Sequence, residues 1–354
     1  MDVGLTSEQL ALRDTVRAVL RAECPPDAAR QAGDDPERWR TLWKTLVDLG
    51  WTELARCDAT GEFGPLELAV VLEECGAAIA PVPLLSSVGM AAGALRGAGP
   101  DIDEVLAEIA SGVVATLAVH CPGTRLPGTP VTLRDGRLHG RAVAVPNAAR
   151  AELIVTLANT DDRGVLAAVV RAGDGVTVVT GESTDPAQPV ADVELDTAPL
   201  AVAPVPSVES ALAAPLVSIA ADLVGVASAA LQRSVEHAKT RRQFGSPIGA
   251  FQGVKHALAD NYVSVERARS LTYAAATQLD KPDPWAPAAL AKAAAADAAS
   301  ACARTMVQVH GALGQTWEHD AHLYVRHAWQ GAALLGDSRA LYYEVGRRFA
   351  EGAK

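Results

Sequence analysis

Helical stripes of apolar residues occupy both ends of this chain, and short β-branched runs fill the middle. Leu10, Leu12, Val16, Val19 and Leu20 recur at helical spacing after Thr6-Ser7-Glu8, where Ser7 or Thr6 can cap the first turn. The stripe stops at Pro25-Pro26. A second helix is expected over about 37–49, closed by Gly50. After the turn-rich CDATGEFG a third follows over PLELAVVLEECGAAI, with Pro65 at its start. Alanine-rich patterns at about 86–95 and 103–109 complete a helical domain, 1–111. From Gly112 onward VVATLAVH, VTL, RLHGRAVAVP, ELIVTLA, GVLAAVV, GVTVVT and ADVELD read as strands, two of them joined by an Asp135-Gly136 turn. They predict an antiparallel β-barrel or sandwich over 112–207, with the proline-rich 197–207 as a linker. Helical patterns return at about 211–240, 250–280, 285–310 and 322–350, a four-helix bundle within 208–354. The expected fold class is α+β and multidomain.

Composition narrows this picture. Hydrophobic residues make up 49% of the 354, largely alanine, and aromatics only 4%, which suits close-packed helices with small side chains at their contacts. The formal net charge of −11 argues against a nucleic-acid partner, which would demand a basic patch. Cys24, Cys57, Cys75, Cys121 and Cys302 are dispersed with no CxxC pair, so they are expected to be reduced thiols of a cytoplasmic protein. The N-terminal stretch reads as an amphipathic helix start, not a signal peptide. No run of transmembrane quality is expected, because charges interrupt the alanine-rich helices; no membrane partner follows.

Two stretches carry candidate chemistry. KTRRQFGSPIGAFQGVKHALAD breaks one helix and opens the next, with Arg241, Arg242 and Phe244 ahead of Gly245 and Pro247. Guanidinium forks beside an aromatic on a tight turn suit a flat, phosphate-bearing ligand, and a capped helix junction explains them equally well. In the second stretch, Gln308-Val309-His310-Gly311-Ala312-Leu313-Gly314, the glycines either cap a helix or offer open backbone to a bulky ligand, with the Gln308 amide beside them. His319, His322 and His327 with Asp320 have the look of a metal cluster, but no matching ligand set accompanies them, and a solvated helix face is the expectation. There is no GxGxxG, Walker loop or GxSxG.

KTRRQFGSPIGAFQGVKHALAD followed by QVHGALGQTWEHDAHLYVR resembles the C-terminal helical domain of flavin-dependent acyl-CoA dehydrogenases, and LTSEQLALRDTVRAVL and LWKTLVDLGWTEL resemble the same family nearer the N-terminus. The resemblance implies a FAD held largely by a neighbouring subunit. It places Arg241 at the pyrophosphate and Phe244 on the adenosine side, Phe251 and Gln252 alongside, and Gln308, Gly311 and Ala312 as backbone and amide contacts. In the family a glutamate about twenty-one residues past the last glycine of the second motif removes the α-proton. That position is Leu335 here, in Leu334-Leu335-Gly336, and leucine cannot accept a proton. The family's alternative base position, around Ala214 to Leu216, holds no acid either, which leaves Asp337 as a fallback. The family's Thr-Glu-Pro-Gly loop stands as His120-Cys121-Pro122-Gly123, and its Trp-Ile-(Thr/Ser)-Asn segment as Ala144-Val145-Pro146-Asn147. The resemblance therefore implies the non-catalytic subunit of a heteromeric, two-plus-two acyl-CoA dehydrogenase, of the kind that acts on bulky acyl-CoA esters such as sterol side chains. Such a chain would complete its homologous catalytic partner's FAD site. The alternatives are a self-sufficient dehydrogenase that uses Asp337, and a flavin-free acyl-CoA-binding or structural protein.

Overall fold

A computed structural model describes residues 4–25, 27–35, 37–56, 63–160 and 164–352. Pro26, Cys57 and most of CDATGEFG lie outside the described residues. Helix α1 (Ser7–Glu23) starts at Thr6, whose hydroxyl accepts from the Gln9 amide while the Gln9 side chain returns to the Thr6 amide. A short α2 (Ala28–Asp34), not expected from the pattern, precedes α3 (Trp39–Asp48). Helix α4 (Pro65–Ala78) begins on proline, and Glu67 reaches back to the Gly64 amide. The segment Leu85–Ala92 is a widened π-type helix, buried throughout, and α5 (Asp103–Ala110) closes the N-terminal helical domain.

The middle domain is one eight-stranded sheet built from β1 (Ala115–Ala118), β2 (Val131–Arg134), β3 (Arg137–Pro146), β4 (Leu153–Thr160), β5 (Gly164–Arg171), β6 (Val176–Thr180), β7 (Val190–Thr197) and β8 (Ala201–Pro204). Its order is β6-β7-β3-β2-β4-β5-β8, with β1 also on β4. The sheet is mixed and not antiparallel, because β1 and β2 both run parallel to β4. Nor is 197–207 merely a linker: Ala201–Pro204 pairs with β5 despite Pro204, since it lies at the sheet edge where a missing amide is tolerated. The two faces of β4 explain its unbroken apolar run. Leu153, Val155 and Leu157 face the helical core, while Ile154 and Ala158 face a second core inside the β domain.

The C-terminal bundle comprises α6 (Val208–Thr240), α7 (Gln252–Ala276), α8 (Trp285–His310), α9 (Ala321–Ala333) and α10 (Ser338–Gly352). The helix expected over 322–350 is therefore two, broken at Leu334–Asp337. Leu335 (φ 52°) and Gly336 (φ 103°) there leave the helical region. Helix α6 also corrects the expectation about transmembrane quality: by length and hydropathy (1.8) it could cross a membrane, yet 89% of that apolar window is buried against the rest of the chain. Of the five cysteines, Cys24, Cys75, Cys121 and Cys302 are free thiols.

Helices α4 and α6 cross so closely that their backbones touch. A Cβ on Gly225 would sit 1.8 Å from the Glu73 carbonyl oxygen, and one on Gly76 would sit 2.0 Å from that of Asp222. Gly225→Ala is expected to lower stability by about 1–3 kcal/mol or more, since backbone cannot step aside as a side chain can. An unchanged thermal midpoint in that variant would refute the close crossing.

Candidate functional site

Beyond Thr240 the chain turns through a two-residue ladder, Arg242–Gln243 against Ser246–Pro247, with Phe244 (φ 52°) and Gly245 (φ 78°) at its tip. Paired positive φ values make this a tight hairpin turn more than a helix cap. The turn throws Phe244 into solvent at 94% exposure, where it meets Phe251 edge-on, the ring centroids 6.1 Å apart. Gln252 opens α7 beside it. At the end of α8, Gly311 takes φ 64°, ψ −139°, a conformation suited to glycine, and a Cβ added there or at Gly245 would meet nothing within 4 Å.

The rings of His237 and His310 lie 4.2 Å apart and join the ends of α6 and α8. Arg241 on one side and Gln308, Gly311 and Ala312 on the other therefore share one corner. All seven residues singled out for a cofactor are exposed. The side chains of Arg241, Gln252 and Gln308 have no hydrogen-bonding or ionic partner among the described residues. A guanidinium, two amides, open backbone and a flat ring are the donor set that a diphosphate and a planar heterocycle require. In the single chain they form a surface, not an enclosed pocket.

The second constellation is buried. Leu335 is 1% exposed, and its amide donates to His120 Nε2 at 2.9 Å. The His120 carbonyl in turn accepts from the Val143 amide at 3.0 Å, next to Ala144, which stands at a bulge in β3 with φ 53°. His120, Ala144 and Leu335, far apart in the sequence, thus meet at one place. Burial, and then the nearby Lys292 ammonium, push the His120 imidazole down to about 4, so it stays neutral as it accepts the Leu335 amide. Lys292 is fully buried, donates to the Ala332 carbonyl at 2.6 Å and to that of Gly336, and is lowered by burial to about 7. Gly336 is hemmed in, because a Cβ there would lie 2.7 Å from Leu126.

Asp337, the fallback base, has other employment. One oxygen caps α10 by accepting the Ala340 amide at 3.0 Å, and the other pairs with Arg125 at 2.7 Å. Burial alone would raise this carboxyl, but the amide bond and the guanidinium hold it below its ordinary value, the wrong direction for a proton acceptor. Asn147 is also committed: its side chain donates to Ser86 Oγ and to Gln188 Oε1 at 2.7 Å.

The histidine cluster does not behave as a solvated face throughout. His322 stacks on Trp317 with centroids 4.6 Å apart, but His327 is buried between two aspartates. Its Nδ1 lies 2.6 Å from Asp185 and its Nε2 2.8 Å from Asp222. The expectation of a solvated face fails at His327 because its partners, Asp222 on α6 and Asp185 in the β6–β7 loop, stand over a hundred positions away in the sequence. The single acid in the most apolar part of α6 was the available signal, since a buried charge needs a partner. No group of three metal-ligating side chains forms among the described residues. A separate cleft of about 580 Å³, lined by Leu68, Val88, Ala214 and Val217 and also by Arg96 and Asp280, shares no residue with the Leu334–Asp337 loop.

Comparison with known proteins gives this geometry a family. Residues 6–112 match the acyl-CoA dehydrogenase N-terminal domain, and residues 206–348 match the acyl-CoA dehydrogenase C-terminal domain. The acyl-CoA dehydrogenase IpdE2 of Mycolicibacterium smegmatis is 32% identical over 347 residues, covering 95% of this chain and 96% of that protein. The chain belongs to the acyl-CoA dehydrogenase family. The acyl-CoA dehydrogenase FadE27 of Mycobacterium tuberculosis is likewise 32% identical and covers 99% of both chains. Among solved structures, the ChsE4–ChsE5 complex from Mycobacterium tuberculosis superposes with a TM-score of 0.87 at 31% identity, covering 99% of each chain. The Tcur3481–Tcur3483 steroid acyl-CoA dehydrogenase, as its G363A variant, gives 0.89 at 27% identity, covering 98% of each. The helical N-terminal domain, mixed-sheet middle domain and helical bundle are those of the family.

Proposed function

We propose that this chain is the subunit of a heteromeric, FAD-dependent acyl-CoA dehydrogenase that lacks the catalytic base and completes the FAD site of a homologous catalytic partner. The observation that carries this reading is the junction of His120, Val143–Ala144 and Leu335. There, side chain and backbone satisfy each other where the family's pattern places a base and flavin contacts. A subunit closed at that point, yet with an unspent row of donors at its surface, is suited to holding a cofactor that faces another chain. Relatives solved as complexes of two unlike-named chains, one of them a steroid acyl-CoA dehydrogenase, support pairing and a bulky acyl-CoA substrate.

Arg241 would hold the pyrophosphate and Phe244 and Phe251 would flank the adenosine. Gln252 and Gln308, with the backbone at Gly311 and Ala312, would supply the remaining polar contacts. FAD, when bound, supplies the acceptor for the hydride that leaves the β-carbon of the thioester. On this reading the α-proton goes to a base on the partner, which agrees with Asp337 being engaged by Arg125 and the Ala340 amide. A self-sufficient enzyme built on Asp337 draws no support from that arrangement.

Expressed alone, the chain is expected to carry little flavin and to turn over no acyl-CoA. Co-expressed with its partner, it should yield a yellow complex, and Arg241→Ala should weaken FAD retention there roughly tenfold or more, the loss of a charge-assisted contact. Stoichiometric FAD with turnover in the lone chain would overturn the proposal.

A further inference from the structure

Three imidazoles stand in a row at the corner where α6 and α8 end. The centroids of His237 and His310 are 4.2 Å apart, and those of His310 and His319 are 4.5 Å apart. The His310 and His319 rings are each tied to backbone, at Met306 and Ala321, and His237 stands one helical turn before Arg241. The His237 carbonyl accepts the Arg241 amide at 2.8 Å. His310 lies between Gln308 and Gly311. His319 Nδ1 receives the Ala321 amide at 3.1 Å at the start of α9.

These bonds fix two tautomers. His310 Nδ1 lies 2.8 Å from the Met306 carbonyl, which can only accept, so that nitrogen carries the proton. His319 Nδ1 receives an N–H and must be bare, so its proton is on Nε2. His319 can gain a charge only by releasing Ala321.

The surroundings offer no spare counter-charge. The row borders a groove of about 640 Å³. Across that groove stand Arg17, Arg21 and Cys24 on α1 and Glu74 on α4. Arg233, Glu236 and Arg241 approach from α6, and Asp320, His322 and Tyr324 from the α9 side. Each carboxylate is already paired: Glu74 with Arg17, Glu236 with Lys239, and Asp320 with both Arg30 and Arg233. Burial first, and then the neighbouring His310 ring, hold His237 and His319 below the ordinary imidazole value. An imidazolium at His237 would face the Arg241 guanidinium, and one at His319 would lie near both Arg233 and Asp320.

We propose that His237, His310 and His319 are positioning residues: stacked, they hold Arg241 and the Gln308–Gly311 edge in register for the shared FAD, and protonation of His237 or His319 in mild acid separates those edges and loosens the cofactor. The inference rests on the shared-site reading above, and the test separates the two. In the co-expressed complex, the FAD dissociation constant is measured by flavin fluorescence from about pH 7.5 down to about pH 5.5, across the histidine range. In the parent it should rise roughly tenfold, the equivalent of one pKa unit of coupling. His237→Phe keeps a flat ring without a titrating proton and should cut that rise to under about twofold. His310→Ala should weaken FAD at both ends of the range. Should His310→Ala fail to assemble, His319→Gln still offers an acceptor to Ala321 and should flatten the profile in the same way.

Arg241→Ala is measured in parallel. If it weakens FAD while His237→Phe keeps the parent's full pH dependence, the imidazole row is overturned and the shared site stands. If Arg241→Ala leaves the dissociation constant unchanged, the shared site falls and the inference falls with it.

Discussion

Replacing His327 with alanine is expected to destabilise the protein by roughly 3–5 kcal/mol, because it leaves two buried aspartates without their common partner. The imidazole bridges Asp185 in the β6–β7 loop and Asp222 on α6 at 2.6 and 2.8 Å, and all three side chains are buried. Burial alone would strip its proton, but the two carboxylates outweigh that and raise its pKa well above the ordinary 6.5. The sign of the pH dependence follows. The contribution is whole below 6.5, declines as pH rises above that value, and is gone once pH passes the folded-state value. Urea unfolding of parent and His327→Ala should therefore show the widest gap in mild acid and a narrowing gap in alkali. A gap that does not change with pH would mean the bridging imidazole is uncharged.

Leu335→Glu is expected to bring no dehydrogenation, although it puts an acid where the family resemblance implies a base. Three features oppose it. The side chain is 1% exposed, the backbone sits at φ 52°, and the amide is held by the neutral His120. A carboxylate forced into that space costs a few kcal/mol of stability before it can act as a base, so the variant should melt earlier as well as stay silent. Turnover of an acyl-CoA by purified Leu335→Glu above the parent's background would show that the loss of the base is the sole defect. Flavin content, read from the visible spectrum, should remain substoichiometric in the lone variant.

Much of this architecture was legible in the residues. The helical, β, helical order followed from periodicity, and Thr6 was one of two caps the opening dipeptide allowed. Two motifs singled out the residues at the exposed corner, although nothing in either predicts that His237 and His310 would bring them together. What escaped detection depends on contacts between distant positions. The parallel pairing of β1 and β2 with β4 is set by how strands meet, which alternation within a strand cannot report. The break at Leu334–Asp337 was hidden in an apolar run, although Gly336-Asp337-Ser338 carries a stop and a cap. His327 was misplaced because its outward-looking neighbours on α9, such as the exposed Trp329, share its local pattern.

Helix α6 has a consequence during synthesis. By composition it is a hydropathic rod of 33 residues, which a nascent-chain sorting system could mistake for a membrane anchor if it emerged bare. Most of its apolar window ends up covered, and α4, which meets it glycine to backbone at Gly225 and Gly76, leaves the ribosome first. The N-terminal helices thus serve as a ready-made sheath, available before α7 and α8 exist. A chain started at Val208 would lack that sheath, and its product is expected in the aggregated or membrane fraction.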